Sequence, residues 1–422
     1  MTILSDVTPS VFARAGSFLS ETAKRPTAWL LGGRAVQLGN SVLLSAVVVR
    51  HFGLKMMGTY ALGYIAVAFT PHLLSLGLNS ELPRTKRPLP ELSFISLAIQ
   101  FSTFSVLAPL LYLYSRLLGR SAVEQTIIFL VAISGCLTGF SNVGLTLQIL
   151  LRRFRMASIA PLFEFGLILI GAAMAHSGAG LALYFLAGRT ITAMLMWPRL
   201  KPKRVAFQDV FPVARQGSKY LILDLLVTFS EQLTPIILGV VTPRAALGTF
   251  RLCQQTSSAA ETPGWSYVQG RYPELAKGDP TESEYITRQA TKIGIGATLL
   301  CAVGSFPLAF VVFHTPSVAS MILVLSAALV FRYLMYVCDQ RLRAEGRVQA
   351  SAILVIARIL LFSIVILLTV KHLGVWAGIW TNAIGAALFG YIYRRVTQPT
   401  AAKIAVTQGS PANIRSNDGF TS

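Results

Sequence analysis

The chain has 422 residues, of which 54% are hydrophobic and only 13% charged, and its mean hydropathy is +0.61. A soluble domain needs more polar surface than that, so a soluble enzyme or binding module is excluded. The formal net charge of +20 invites a nucleic-acid partner, but the basic residues are dispersed through short loops and topology accounts for them better.

Residues 1–26 lack an apolar core, so no cleaved signal peptide is expected and the segment reads as a cytoplasmic tail. Twelve apolar stretches follow, at 27–49, 57–80, 92–115, 123–149, 157–176, 179–198, 220–241, 246–268, 289–313, 317–338, 348–370 and 373–393. Each is long enough to cross a hydrocarbon core about 30 Å thick. With the N-terminus inside, 26 of the 37 Lys and Arg fall in tails and loops of that side, 6 in the opposite turns, and 5 within spans. Such a bias places both termini in the cytoplasm. Cys136, Cys253, Cys301 and Cys338 all lie inside spans, without a C-x-x-C pair, and read as small apolar packing residues; no disulfide, metal or cofactor is expected.

The longest basic loop separates the sixth span from the seventh. It divides the chain into a bundle at 27–199, a linker at 200–219, a second bundle at 220–395 and a cytoplasmic tail at 396–422. At an offset of 190 residues, Gly58-Thr59-Tyr60 meets Gly248-Thr249-Phe250, Leu62 meets Leu252, and Pro83 meets Pro273. The predicted fold is therefore an all-α polytopic membrane protein of about 12 transmembrane helices, in two pseudo-symmetric six-helix bundles around a central cavity. Parallel repeats of this kind are a transporter architecture. In that register Arg34 corresponds to Asp224, Ser41 to Glu231, and Ala61 to Arg251.

The eighth span is the anomaly. Arg251, Gln254, Gln255, Ser258, Glu261 and Thr262 follow a spacing that puts them on one helical face. One central Arg in lipid costs about 2.5–3.5 kcal/mol on insertion scales. Three arrangements resolve this: a stripe facing a wet cavity, ion pairing between helices, or a helix lying flat at the interface. Arg34 heads a second stripe with Gln37, Asn40 and Ser41; it either faces the cavity or reaches the headgroups. Asp224 and Glu231 share a face of the seventh span, and with Glu261 they serve either as counter-ions to the arginines or as H⁺ or Na⁺ sites. His72 either titrates or is a hydrogen-bonded neighbour of Pro71. Glu164, Arg189 and Arg332 are weaker candidates. Arg358, alone in an apolar stretch, is expected to pair with a headgroup or another helix rather than to line a wide cavity. Two arginines in a membrane cavity call for an anion, phosphate or carboxylate, because the guanidinium fork gives two parallel hydrogen bonds. There is no nucleotide-binding G-x-x-x-x-G-K-[ST] and no nucleophile–base set, so the protein is not expected to be an enzyme.

Gly53, Gly58 and Tyr60, Leu76-Gly77-Leu78 with Arg84, the stretch "ALGTFRLCQQ", and Tyr272, Pro273 and Leu275 carry a resemblance. They resemble the bacterial Wzx-type flippases of O-antigen and exopolysaccharide, in the multidrug/oligosaccharidyl-lipid/polysaccharide exporter superfamily. The resemblance implies location in the bacterial cytoplasmic inner membrane and translocation of an oligosaccharide on undecaprenyl pyrophosphate. It further implies contact with membrane lipids, a polysaccharide polymerase and other export-pathway proteins. On it, the pyrophosphate is expected on Arg34 and Arg251, and sugar hydroxyls on Gln37, Asn40, Gln254 and Gln255. The second span offers only His72 where related lipid flippases carry a cation. The alternative is a cation-coupled exporter of small molecules in the same superfamily; a third possibility is a scaffold for glycosyltransferases.

Overall fold

The structure, a computed structural model, describes residues 26–85, 87–271, 274–275 and 279–398. The expected tail at 1–26, save Pro26, the tail at 396–422 beyond Gln398, and Tyr272 and Pro273 lie outside the described residues. The long helices are α1 (Pro26–Ser75), α2 (Leu89–Leu118), α3 (Ala122–Leu150), α4 (Met156–Met174), α5 (Gly178–Met196) and α6 (Phe207–Val241) in the first part of the chain. They are followed by α7 (Arg244–Gly270), α8 (Pro280–Pro307), α9 (Ser317–Ala327), α10 (Leu329–Ala344), α11 (Val348–Leu373) and α12 (Val375–Thr397). Several starts are fixed by side-chain caps: Ser121 accepts from the Glu124 amide, Ser177 from Gly180, and Asp279 from Thr281.

Each predicted span overlaps at least one of these helices, although 57–80 runs past the end of α1 at Ser75 and 289–313 past the end of α8 at Pro307. Among the described residues, nine helices are long and apolar enough to cross a membrane, and ten when α9 and α10, bent by 41°, are taken as one. Two predicted spans are not counted separately, for physical reasons. The first two run together in α1 and are divided only at Gly53, whose φ of 79° suits a residue without a Cβ. The eighth, α7, carries too many polar side chains to pass on composition.

Helices α1–α5 pack on one another, as do α6–α12, and the two sets meet mainly through α1 against α6 and α7. That junction is built on glycine. A Cβ on Gly58 would collide with the Arg244 carbonyl oxygen, and one on Gly248 with the Leu54 carbonyl oxygen. At an offset of 190 residues Gly58 corresponds to Gly248 and Leu54 to Arg244. The two contacts are thus reciprocal under that offset. A second backbone contact, Gly77 against Gly217, joins the halves at the end of the bundle that carries the basic loops.

Arg244 fastens the opposite end, near Gly53. Its guanidinium donates to the Gly239 carbonyl (3.1 Å) at the end of α6 and to the Leu118 carbonyl (2.6 Å) at the end of α2. These carbonyls have no helical partner of their own. Arg244→Ala is expected to destabilise the detergent-solubilised protein by about 2–3 kcal/mol, because two charge-assisted bonds to part-buried carbonyls go at once. An unchanged thermal transition would show that the clamp is not formed.

Candidate functional site

The polar face of α7 exists as the spacing requires, and it looks into a cavity of about 570 Å³. Its walls come from α6, α7, α10, α11 and α12, and Arg34, Gln37 and Leu38 of α1 close it from the first half. Arg251, Gln254, Ser258, Glu261 and Thr262 all line it. The α7 stripe therefore faces this cavity rather than the outer surface.

Four arginines border the space, Arg34, Arg251, Arg332 and Arg358, together with Glu231, Glu261 and Asp339. Their surroundings differ. Arg332 is ion-paired with Glu261 across α7 and α10. The Tyr333 hydroxyl donates to the Ala260 carbonyl beside it, so α10 is pinned to α7. Asp339 pairs with Arg343 (2.8 Å) and accepts from the Ser351 hydroxyl. Arg251 lies over the Tyr64 ring, 4.8 Å from its centroid, and donates to the Gln254 side-chain oxygen at 2.9 Å. Among the described residues no carboxylate pairs with Arg251 or with Arg358.

Arg34 donates to Ser266 (3.3 Å) and lies over the Trp265 ring (5.2 Å), which in turn stacks on Tyr336. Arg34 and Arg251 thus occupy opposite ends of the cavity. Ser266 follows Arg251 by fifteen residues on α7, about 22 Å at the helical rise. A pyrophosphate, two linked tetrahedra, is much shorter than that. Arg34 and Arg251 line one cavity, but they meet α7 about four turns apart.

The other expected residues divide. Gln37 and Glu231 line the cavity. Asn40 and Gln255 do not. Asn40 is wholly buried and donates to the Pro161 carbonyl (3.0 Å), tying α1 to α4. Gln255 is rotated onto α1, where it donates to Ser41 (3.0 Å) and accepts from Ser45. Asp224 also stands away from the lining, 3.9 Å from Arg343. Arg189 pairs with Glu164 (2.9 Å) inside the first half, and neither lines the cavity. Arg358, expected to avoid the cavity, lines it, although it does bond to another helix through Ser230. Trp265 is not singled out by the sequence reading. It continues the α7 stripe at the same helical spacing and could have been found there.

No protein-family model and no curated protein sequence matches the chain. Solved structures do match. The chain superposes on the Lipid II flippase MurJ, in an inward closed conformation, with a TM-score of 0.69 over 88% of each chain at 12% identity. The fold is that of the MOP-superfamily transporters. An inward-facing multidrug resistance MATE family transporter of that superfamily gives a TM-score of 0.63 at 15% identity, over 90% of this chain and 96% of that one. The MATE multidrug transporter DinF-BH gives 0.64 at 13% identity, over 89% and 94%. At these identities the likeness is one of fold, and the multi-pass membrane character follows from it together with the apolar helices.

Proposed function

We propose that the protein flips oligosaccharides carried on undecaprenyl pyrophosphate across the bacterial cytoplasmic membrane, by alternating access to the cavity. The observation that carries this reading is Arg251: a guanidinium within the bilayer, lining a hollow, with no described carboxylate to neutralise it. A charge so placed is expensive unless something anionic meets it. Gln37 and Gln254 supply hydrogen bonds for sugar hydroxyls, and the polyprenyl tail stays in lipid. The cation at the other end, Arg34 with Trp265, is a separate station at the mouth nearer the basic loops. Rocking of the two halves then turns the cavity from one leaflet to the other.

The direct test is a leaflet-exchange assay in proteoliposomes with a fluorescent polyprenyl-pyrophosphate oligosaccharide. Wild type is expected to exchange it, and Arg251→Ala, inserted at equal level, to do so at least tenfold more slowly. Exchange by Arg251→Ala at the wild-type rate would overturn Arg251's role. A second reading, a cation-coupled small-molecule exporter, is favoured by Glu231, whose carboxylate faces the same cavity. Under that reading the wild type extrudes organic cations and leaves the lipid in place.

A further inference from the structure

Arg358 sits in the middle of α11, in a run otherwise wholly apolar. Its neighbours Ile356 and Leu360 are 43% and 59% exposed on the outer surface, whereas Arg358 is 8% exposed and turned inward. Its Nε donates to the Ser230 hydroxyl on α6, and one Nη to the Met335 sulfur on α10 at 3.2 Å. A guanidinium has five N–H donors. Here two are met, and both acceptors are neutral. A full positive charge is therefore held within the bilayer by a hydroxyl and a thioether, at the wall of a cavity.

Arg251 lies close to the same level. Its partner Gln254 reaches the backbone carbonyl of Glu231 at 3.5 Å, and Glu231 follows Ser230, the residue Arg358 touches. Two arginines without carboxylate partners thus approach one stretch of α6 from α7 and from α11. Between them Glu231 is the acid on hand. It lines the same cavity as Arg251, Arg332 and Arg358, but it closes no ion pair among the described residues.

We propose that Arg358 is the principal anion ligand of this cavity, that it clamps a phosphoryl group together with Arg251 at the level of Ser230, and that Glu231 is the internal anion which the ligand displaces. This deepens the flippase reading and rests on it only for the source of the phosphoryl group. The chemistry explains the division of labour. Arg332 is already neutralised by Glu261, so it offers a ligand little. Arg358 keeps a fork of N–H groups for two oxygens of one phosphoryl group. Glu231 repels a second anion at short range, so anion affinity and the carboxylate charge oppose each other.

The test is calorimetric binding of inorganic pyrophosphate to the purified full-length protein in detergent, repeated with a polyprenyl pyrophosphate in mixed micelles. Arg358→Lys, which keeps the charge but loses the fork, is expected to weaken binding of inorganic pyrophosphate at least tenfold. Glu231→Gln is expected to strengthen it several-fold, a gain that a misfolded variant does not produce. Arg87→Gln, in a surface ion pair with Asp209 away from the cavity, serves as the unaffected control. Wild-type affinity in Arg358→Lys, or no gain in Glu231→Gln, would overturn the assignment. Binding of inorganic pyrophosphate with the expected pattern, but no exchange of the lipid-linked form, would keep the anion site and sink the flippase reading instead.

Discussion

Glu164→Ala is expected to destabilise the protein by about 3–5 kcal/mol, among the largest effects of any single substitution outside the cavity. Glu164 and Arg189 form an ion pair at 2.9 Å inside the first half, with side chains 1% and 13% exposed. Removing the acid leaves a buried guanidinium with only the Thr138 hydroxyl (3.1 Å) and the Phe185 ring for company. The loss is asymmetric: breaking such a pair is costly, while replacing both partners by apolar groups of similar volume is often close to neutral. Glu164→Leu combined with Arg189→Met is therefore expected to recover most of the stability lost in the single variant. Thermal unfolding of the detergent-solubilised variants checks both halves of the statement. A single variant as stable as wild type, or a double variant no better than the single, would show that the pair is not formed as described.

The junction between the halves carries the second large effect. Gly58→Ala and Gly248→Ala each place a methyl group against a backbone carbonyl of the other half, and a backbone cannot swing aside as a side-chain tip can. Alanine is otherwise the better helix former by about 1 kcal/mol, so in a free helix either change would stabilise. Here the sign is expected to reverse, with a loss of about 1–3 kcal/mol in each variant. Because the two positions face each other across one contact, the losses are expected to be similar and the double variant less than additive. Stabilisation by either substitution would mean that the halves do not touch there. The same thermal scan reads it.

How much of this is legible in the sequence depends on where each residue's partners lie. The α7 stripe is legible because its pattern is local: Arg251, Gln254, Ser258, Glu261 and Thr262 repeat at helical spacing, and all five line the cavity. Gln255 shares their face by spacing, about 40° round the helix from Arg251, but Ser41 and Ser45 of α1 capture its amide, which no spacing announces. Asn40 fails for a related reason. A polar residue on the right face near the right end is open to capture by a neighbouring carbonyl, here that of Pro161, which no spacing announces. The sequence reading expects a partner for Arg358 on another helix but not its place on the cavity wall, because the residues that hold it there, Ser230 and Met335, stand 128 and 23 positions away. The Glu164–Arg189 pair is equally hidden, for it joins α4 to α5 rather than two turns of one helix. The repeat, by contrast, is visible in a few identities at an offset of 190, because the glycines that match are those whose lack of a side chain the junction requires.

The duplicated backbone does not carry a duplicated lining. In the register that superposes Gly58 on Gly248, the counterpart of Gln254 is Tyr64 and that of Ser230 is Asn40. Both first-half residues are buried, Tyr64 packed near Phe185 and Asn40 against Pro161. At these two positions, then, the first half is filled by an aromatic and an amide side chain where the second half is hollow. Of the first-half helices α1 alone reaches the hollow, through Arg34, Gln37 and Leu38, and its other walls all belong to the second half.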